Sequence, residues 1–527
     1  MAKGYVNDHW TLDINLLGYE PLCKTLKAKI ATCDPPYSFA VCGGWGSGKT
    51  SVLRYLMAIS GGDYLRLDPE DELSDEVGEL PEAVKKDWEG DKISKEAREA
   101  KKNYTCVWFN PWQHQFEQTP LVALLNEIRS QFSFWVKGKK TLQKNSKALL
   151  QSGLQCLDKI IPVAASSFGL PEGLGNAINN FRQNLRTQER DSCSFQLDSQ
   201  RLPLQFEQAV STLVHGSTEN PDAKLIIFID DMDRIQPEQA YQLLEAIKLL
   251  LHTPRCIFVF GIDYHRLVQR LAQLDVFEKS PTYAREYLEK MFQSLVPLPQ
   301  PTDKKFEGFI KEQLKSTELD KLLAIKIPGL EAEKPLSLSK FLCELLEKNP
   351  RKAKNFINAL KAQVEQISTN TSIDLQDGSS TKQCILVHFI RSIYPEAYVV
   401  LETHPETLVE FWHALKTENS PNNNYCRFFQ TVVENQLVIA LVAGGETDRV
   451  INQDKLTDRE LQNMKDNTTA FHAKQRFSKH FTLSYPDLGG KKEEEKPSIT
   501  DLSPFFHVND EEKPETADTL NTEATAE

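Results

Sequence analysis

At 527 residues the chain is too long for one ordinary domain, and length alone predicts about two to four. The apolar fraction of 40% suits a conventional core, while the net charge of −12 is uneven: residues 61–103 carry −6, residues 491–527 carry −7, and the rest sums to about +1. That balance argues against a dedicated nucleic-acid binder, and ten cysteines without a Cys-x-x-Cys pair argue against a zinc framework.

The cysteines read as reduced thiols packed as small apolar side chains. MAKGYVNDHW contains no leader-like apolar core, and no run approaches the roughly 18 uncharged apolar residues of a membrane helix. The expectation is a soluble, cytoplasmic protein without a transmembrane segment.

Four short apolar strands alternate with helical patterns, which predicts an α/β fold with a central parallel sheet flanked by helices. SFAVC (38–42) is the first strand, followed by a glycine-rich loop and a helix with Val52, Leu53, Leu56 and Met57 at helical spacing. The charged insert 61–103 comes next, then a second strand at 105–110 and a helical stretch around 119–136. Residues 133–190 are basic, with nine basic side chains against three acidic. KLIIFIDD (224–231) is the third strand, and Pro237 suits the first turn of the helix after it. CIFVFGID (256–263) is the fourth. Beyond about 300 the pattern is helical, notably at 338–347 and 350–366. A polar linker over 368–381 leads to a further helical region at 383–480, and the acidic tail from about 486 is expected to be disordered.

Gly43-Gly44-Trp45-Gly46-Ser47-Gly48-Lys49-Thr50 matches the phosphate-loop pattern, with a strand before it and an amphipathic helix, beginning Lys49-Thr50-Ser51, after it. Such a loop turns backbone N–H groups toward phosphate oxygens, and the helix adds its positive end. Lys49 is placed to reach the β- and γ-phosphates and Thr50 to ligate Mg²⁺. Trp45 is unusual there and either packs on a neighbouring element or lies near the nucleotide.

The loop needs a carboxylate at a nearby strand end to complete the metal shell, and Asp230 closes LIIFI. Asp231 follows where many ATPases carry the group that orients or deprotonates the attacking water, although an Asp is one methylene shorter than a Glu. Asp233 completes the acidic string; it either caps the helix or is the next candidate after Asp231 for the catalytic carboxylate. Asp263, at the end of the fourth strand, is either a polar sensor of the γ-phosphate or the cap of the helix starting at Tyr264. No Asn-Lys-x-Asp string for guanine occurs, so ATP with Mg²⁺ is the expected cofactor pair.

A phosphate loop followed by TCVWFNPWQHQ, FIDDMDRI, VFGIDYHRL, YLEKMFQSLVPLP and KNPRKAKNFINAL resembles the KAP P-loop NTPases, relatives of the STAND signalling NTPases. The specific signals are Trp108-Phe109-Asn110-Pro111-Trp112 and Asn349-Pro350-Arg351 with Asn355 and Asn358. Trp108, Asn110 and Trp112 fall on the family's aromatic motif; the two tryptophans are either core or a pocket wall. Arg351 falls on the helical-lid motif, where a guanidinium can touch a γ-phosphate; the alternative is a first-turn surface residue. Many family members insert pairs of membrane helices between the two Walker motifs, whereas the insert here is amphipathic and basic.

The expected organisation is a P-loop core over 1–300 with inserts at 61–103 and 133–200, a helical lid over 301–370, a helical region over 371–485 and the acidic tail over 486–527. The resemblance implies an ATPase switch acting on a protein partner from the same signalling or defence system, since bacterial members are often linked to phage or plasmid exclusion. An ATPase acting on nucleic acid through 133–190 and a slow nucleotide-binding scaffold are the alternatives. Self-association is left open.

Overall fold

The computed structural model describes residues 4–62, 91–117, 119–138, 142–168, 198–218, 220, 222–250, 253–319, 322, 326–327, 336–370 and 378–393. Most of the acidic insert, the centre of the basic insert, most of the expected helical region 383–480 and the whole acidic tail lie outside these residues. Two compact units divide the chain: His9–Thr302, and Met1–Asp8 together with the chain from Asp303.

In the first unit, α1 (Glu20–Thr32) precedes β1 (Tyr37–Cys42) and α2 (Lys49–Ile59). Next come α3 (Asp91–Ala100), β2 (Tyr104–Phe109), α4 (Pro120–Gly138), α5 (Lys144–Phe168), α6 (Asp198–Ser217) and β3 (Lys224–Asp230). The unit closes with α7 (Pro237–Leu250), β4 (Cys256–Ile262), α8 (Tyr264–Leu271), α9 (Pro281–Met291) and β5 (Ser294–Pro297). The four expected strands are present, shifted by about one residue at their ends. β5 was not anticipated: four residues ending in proline give too little pattern, and its pairing with β1 defines it.

The five strands form one parallel sheet in the order β2-β3-β4-β1-β5. Its faces follow from the alternation of side chains along a strand. Leu225, Ile227 and Ile229 of β3, with Phe258 and Phe260 of β4, face the layer built by α4–α9. Ile226 and Phe228, with Ile257 and Val259, face α1 and α2. With both faces covered, the strands read as continuous apolar runs. The outer edge of β2 is closed at Trp108, whose N–H donates to Gln131 Oε1 (3.1 Å) while its C=O accepts from Gln131 Nε2 (2.6 Å).

The long helices α5 and α6 pack as an antiparallel pair. Buried Leu150, Leu157, Ile160 and Ala164 repeat at steps of three, four and seven, and Gly153 fills the one open step. A Cβ on Gly153 would lie 2.7 Å from Leu213 Cγ, and one on Gly216 would lie 2.7 Å from Leu150 Cγ, so each helix seats a leucine on the other's glycine. Lys144, Lys147 and Lys159 of the basic stretch are exposed. No described helix is long and apolar enough to cross a membrane.

In the second unit, α10 (Asp303–Ser316), a short antiparallel pair β6 (Lys326–Ile327) and β7 (Leu336–Ser337), α11 (Leu338–Leu345), α12 (Pro350–Asn370) and α13 (Gly378–Ile393) pack together. The expected linker 368–381 is shorter than read, because α12 continues to Asn370 and α13 starts at Gly378. Asn349 caps α12 by accepting from the Lys352 N–H at 3.1 Å.

Candidate functional site at the strand ends

The phosphate loop connects β1 to α2. Gly43 N–H donates to Ile262 O (3.1 Å), which holds the start of the loop beside the end of β4. Gly46 and Gly48 have φ of 78° and 100°, a backbone region that glycine occupies without cost. A Cβ on Gly43 would meet Ser47 Oγ at 2.7 Å, and one on Gly48 would meet the Tyr19 ring at 3.3 Å. The buried Tyr19 also donates to Ser47 O (3.0 Å) and so braces the loop from α1's side of the sheet. Gly44 faces open space and Trp45 is 55% exposed. Lys49 is buried, its ammonium donating to Gly43 O (2.8 Å) and Gly44 O (3.2 Å). Ser51, one residue beyond Thr50, accepts from the Thr11 N–H at 3.2 Å.

Asp230 reaches this loop although β3 is not the neighbour of β1. β4 lies between them, and the register sets Gly261 opposite both Asp230 and Val41. A Cβ at 261 would stand 2.7 Å from Asp230 Oδ1 and 3.0 Å from Leu53 Cδ2, so the glycine leaves the space through which the carboxylate leans toward α2. There Asp230 Oδ2 accepts from the Thr50 hydroxyl at 2.6 Å. Its other oxygen, Oδ1, is buried without a hydrogen-bond partner. Burial first, and the neighbouring Asp231 carboxylate second, push Asp230 up to about 6, against the Thr50 hydroxyl and the Lys49 ammonium. A buried carboxylate oxygen with an open valence beside a hydroxyl is a donor set that fits Mg²⁺, a hard cation bound through oxygen.

Asp231 turns the chain with φ 61°, a left-handed conformation that Asp tolerates better than most residues. Both its oxygens are engaged. Oδ2 accepts from Asn110 Nδ2 at 3.1 Å, and Oδ1 pairs with Arg234 Nε at 2.7 Å. Asn110 sits just past β2, where its Oδ1 also accepts from the Trp112 N–H (3.0 Å) and caps the short turn Pro111–His114. The Arg234 guanidinium lies 5.5 Å from the centre of the Trp112 ring. Asp231 is therefore oriented from two sides.

The tryptophans of the aromatic motif separate. Trp108 is core, with the Arg54 guanidinium 3.6 Å from its ring centre, whereas Trp112 is 44% exposed. Asp263 caps α8 by accepting from the Arg266 N–H at 3.2 Å. Asp233 is buried, and burial raises its carboxyl against the Lys49 ammonium and the Asp263 backbone N–H. The first unit thus brings together Gly43–Ser51, Asp230, Asp231 and Asp263. Arg351 belongs to the second unit, where its Nε pairs with Asp8 Oδ2 at 2.5 Å.

The sequence placed Asn110 on the aromatic motif without a contact to Asp231, and gave Arg234, Tyr19 and Gly261 no role. Only Asn110 left a usable trace, because Asn-Pro immediately after an apolar strand marks a turn at a strand's carboxyl end.

A parallel sheet with a glycine loop feeding α2 and an acid on a non-adjacent strand defines a P-loop NTPase. Residues 19–366 match the KAP family P-loop domain, and the chain belongs to that family. Nucleotide binding follows from membership. No curated protein matches the chain significantly.

Proposed function

We propose that the chain is an ATPase switch: it binds ATP with Mg²⁺ at residues 43–51, hydrolyses it, and uses the nucleotide state to control a protein partner. The carrying observation is the Thr50–Asp230 pair with its open carboxylate oxygen, set beside an Asp231 that Asn110 and Arg234 hold in place. Thr50 and Asp230 would hold the metal, which supplies charge neutralisation on the phosphates. Lys49 would leave the loop carbonyls for the β- and γ-phosphate oxygens. Asp231 would orient the attacking water and accept its proton. Asp263 stands at the end of β4, where a sensor of the γ-phosphate would be. A role in defence against phage or plasmids rests on family analogy alone.

The test is Mg²⁺-dependent ATP and GTP turnover of the full chain and of Lys49→Ala. Removing the ammonium should lower ATP turnover on the order of a thousandfold, since it costs several kcal/mol of transition-state stabilisation. Unchanged turnover in the variant would remove the proposal.

A further inference from the structure

Residues Tyr5–Asp8 lie along helix α12, and each is contacted by a different side chain of one helical face. The Arg351 guanidinium pairs with the Asp8 carboxylate at 2.5 Å. The Lys354 ammonium donates to Asn7 O at 3.2 Å. Asn358 makes two bonds to Val6: its Oδ1 accepts from the Val6 N–H (2.7 Å) and its Nδ2 donates to the Val6 C=O (2.8 Å). The Lys361 ammonium stands 5.0 Å from the centre of the Tyr5 ring, and the Tyr5 hydroxyl donates to Glu365 at 3.2 Å.

Positions 351, 354, 358, 361 and 365 advance by three and four, so they form a single stripe along the helix. The segment runs antiparallel to that stripe in matched order. Its central residue is held through its backbone, by the paired donor and acceptor that a neighbouring strand would otherwise supply. Its ends are held through an aromatic ring and a carboxylate. A ladder of this kind is how proteins bind short peptides: backbone bonds supply affinity, and the flanking side chains supply selection.

We infer that this face of α12 is a peptide-recognition surface for an aromatic-x-x-acid segment, and that its occupant is the chain's own Tyr5–Asp8. The same strand of chain is anchored again two residues later in the nucleotide unit. There Trp10 lies 5.3 Å from the Arg54 guanidinium, and the Thr11 N–H donates to Ser51. Both partners are on the helix that follows the phosphate loop. The assignment does not depend on hydrolysis.

The experiment uses a fluorescent synthetic peptide of residues 4–9 added to full-length chains. Val6→Pro removes the N–H that Asn358 accepts and leaves α12 untouched, whereas Val6→Ala keeps the backbone pair. The peptide should bind the Val6→Pro chain at least tenfold tighter than wild type or Val6→Ala, whose site is filled in cis, and adding Asn358→Ala should abolish the gain. Binding to Val6→Pro no tighter than to wild type overturns the inference. As a second arm, Asp8→Ala should speed chymotryptic cleavage after Tyr5 about tenfold, while Asn7→Ala should leave it unchanged because only the Asn7 carbonyl is used. Equal cleavage of all three chains also overturns it.

Discussion

Asp231 and Asp230 are adjacent carboxylates in different surroundings, and their variants should separate cleanly. Asp231→Asn keeps the size of the side chain but turns one of the two accepting oxygens, which face Asn110 and Arg234, into an N–H donor, and cannot accept a proton; nucleotide binding should persist and turnover should stop. Asn110→Ala should leave the carboxylate present and poorly aimed, lowering kcat roughly tenfold with KM nearly unchanged, since one hydrogen bond to a charged group is worth about 1.5 kcal/mol or more. Steady-state kinetics on the two variants distinguishes a reacting group from a positioning one. Asp230 differs because its carboxyl is lifted to about 6 by burial. The folded state therefore holds its proton more tightly than the unfolded chain between about pH 4 and 6, and stability falls as pH rises through that window. Above it the penalty is fully present, on the order of 3 kcal/mol. Asp230→Asn should raise the Tm of the nucleotide-free protein at pH 7 by a few degrees, lose that advantage toward pH 4, and gain nothing from added Mg²⁺ and ATP. Thermal scans across pH check all three outcomes.

Helices α5 and α6 show how little of an element's packing is visible locally. The three-and-four repeat of α5 is a local pattern, but Gly153 and Gly216 look like weak points in a helix until the facing leucines are known. Gly153→Val should destabilise the unit by about 1–3 kcal/mol, because the new atoms collide with Leu213 in a filled interface. Leu213→Ala, harmful alone, should then cost less in the Gly153→Val background than in wild type, and a double-mutant cycle by denaturant unfolding measures that coupling. β4 makes a parallel point. A glycine inside FVFGI reads as a flaw in an apolar strand, and its reason appears only with Asp230 lying against it.

For the whole molecule, the proposed switch requires that the helical unit respond to the nucleotide state. The Arg351 guanidinium is paired with the Asp8 carboxylate within the helical unit. If Arg351 senses the phosphate, Arg351→Ala should leave ADP affinity nearly unchanged and weaken the preference for ATP by about 1.5–3 kcal/mol. Residues 338–393 should then give the same amide-exchange pattern with ADP and with a non-hydrolysable ATP analogue, because a ligand shifts an equilibrium only through contacts that differ between its states. A nucleotide-dependent difference equal to that of wild type would make Arg351 a binder of Asp8 and nothing more.

Much of this protein is written in short stretches of sequence. Alternating strands and helices imply a parallel sheet because crossovers must return over its faces. The loop 43–50 and Asp230 are legible because glycine spacing and a carboxylate ending an apolar run are local patterns with a local physical cause. What the tertiary structure alone decided are pairings between distant residues: Asn110 with Asp231 across 121 positions, Gly261 beneath Asp230, and Val6 with Asn358 across 352. Each depends on which strands become neighbours, or on which helix face meets a passing segment. Those outcomes are set by the burial of the whole core, and no single stretch of chain carries them.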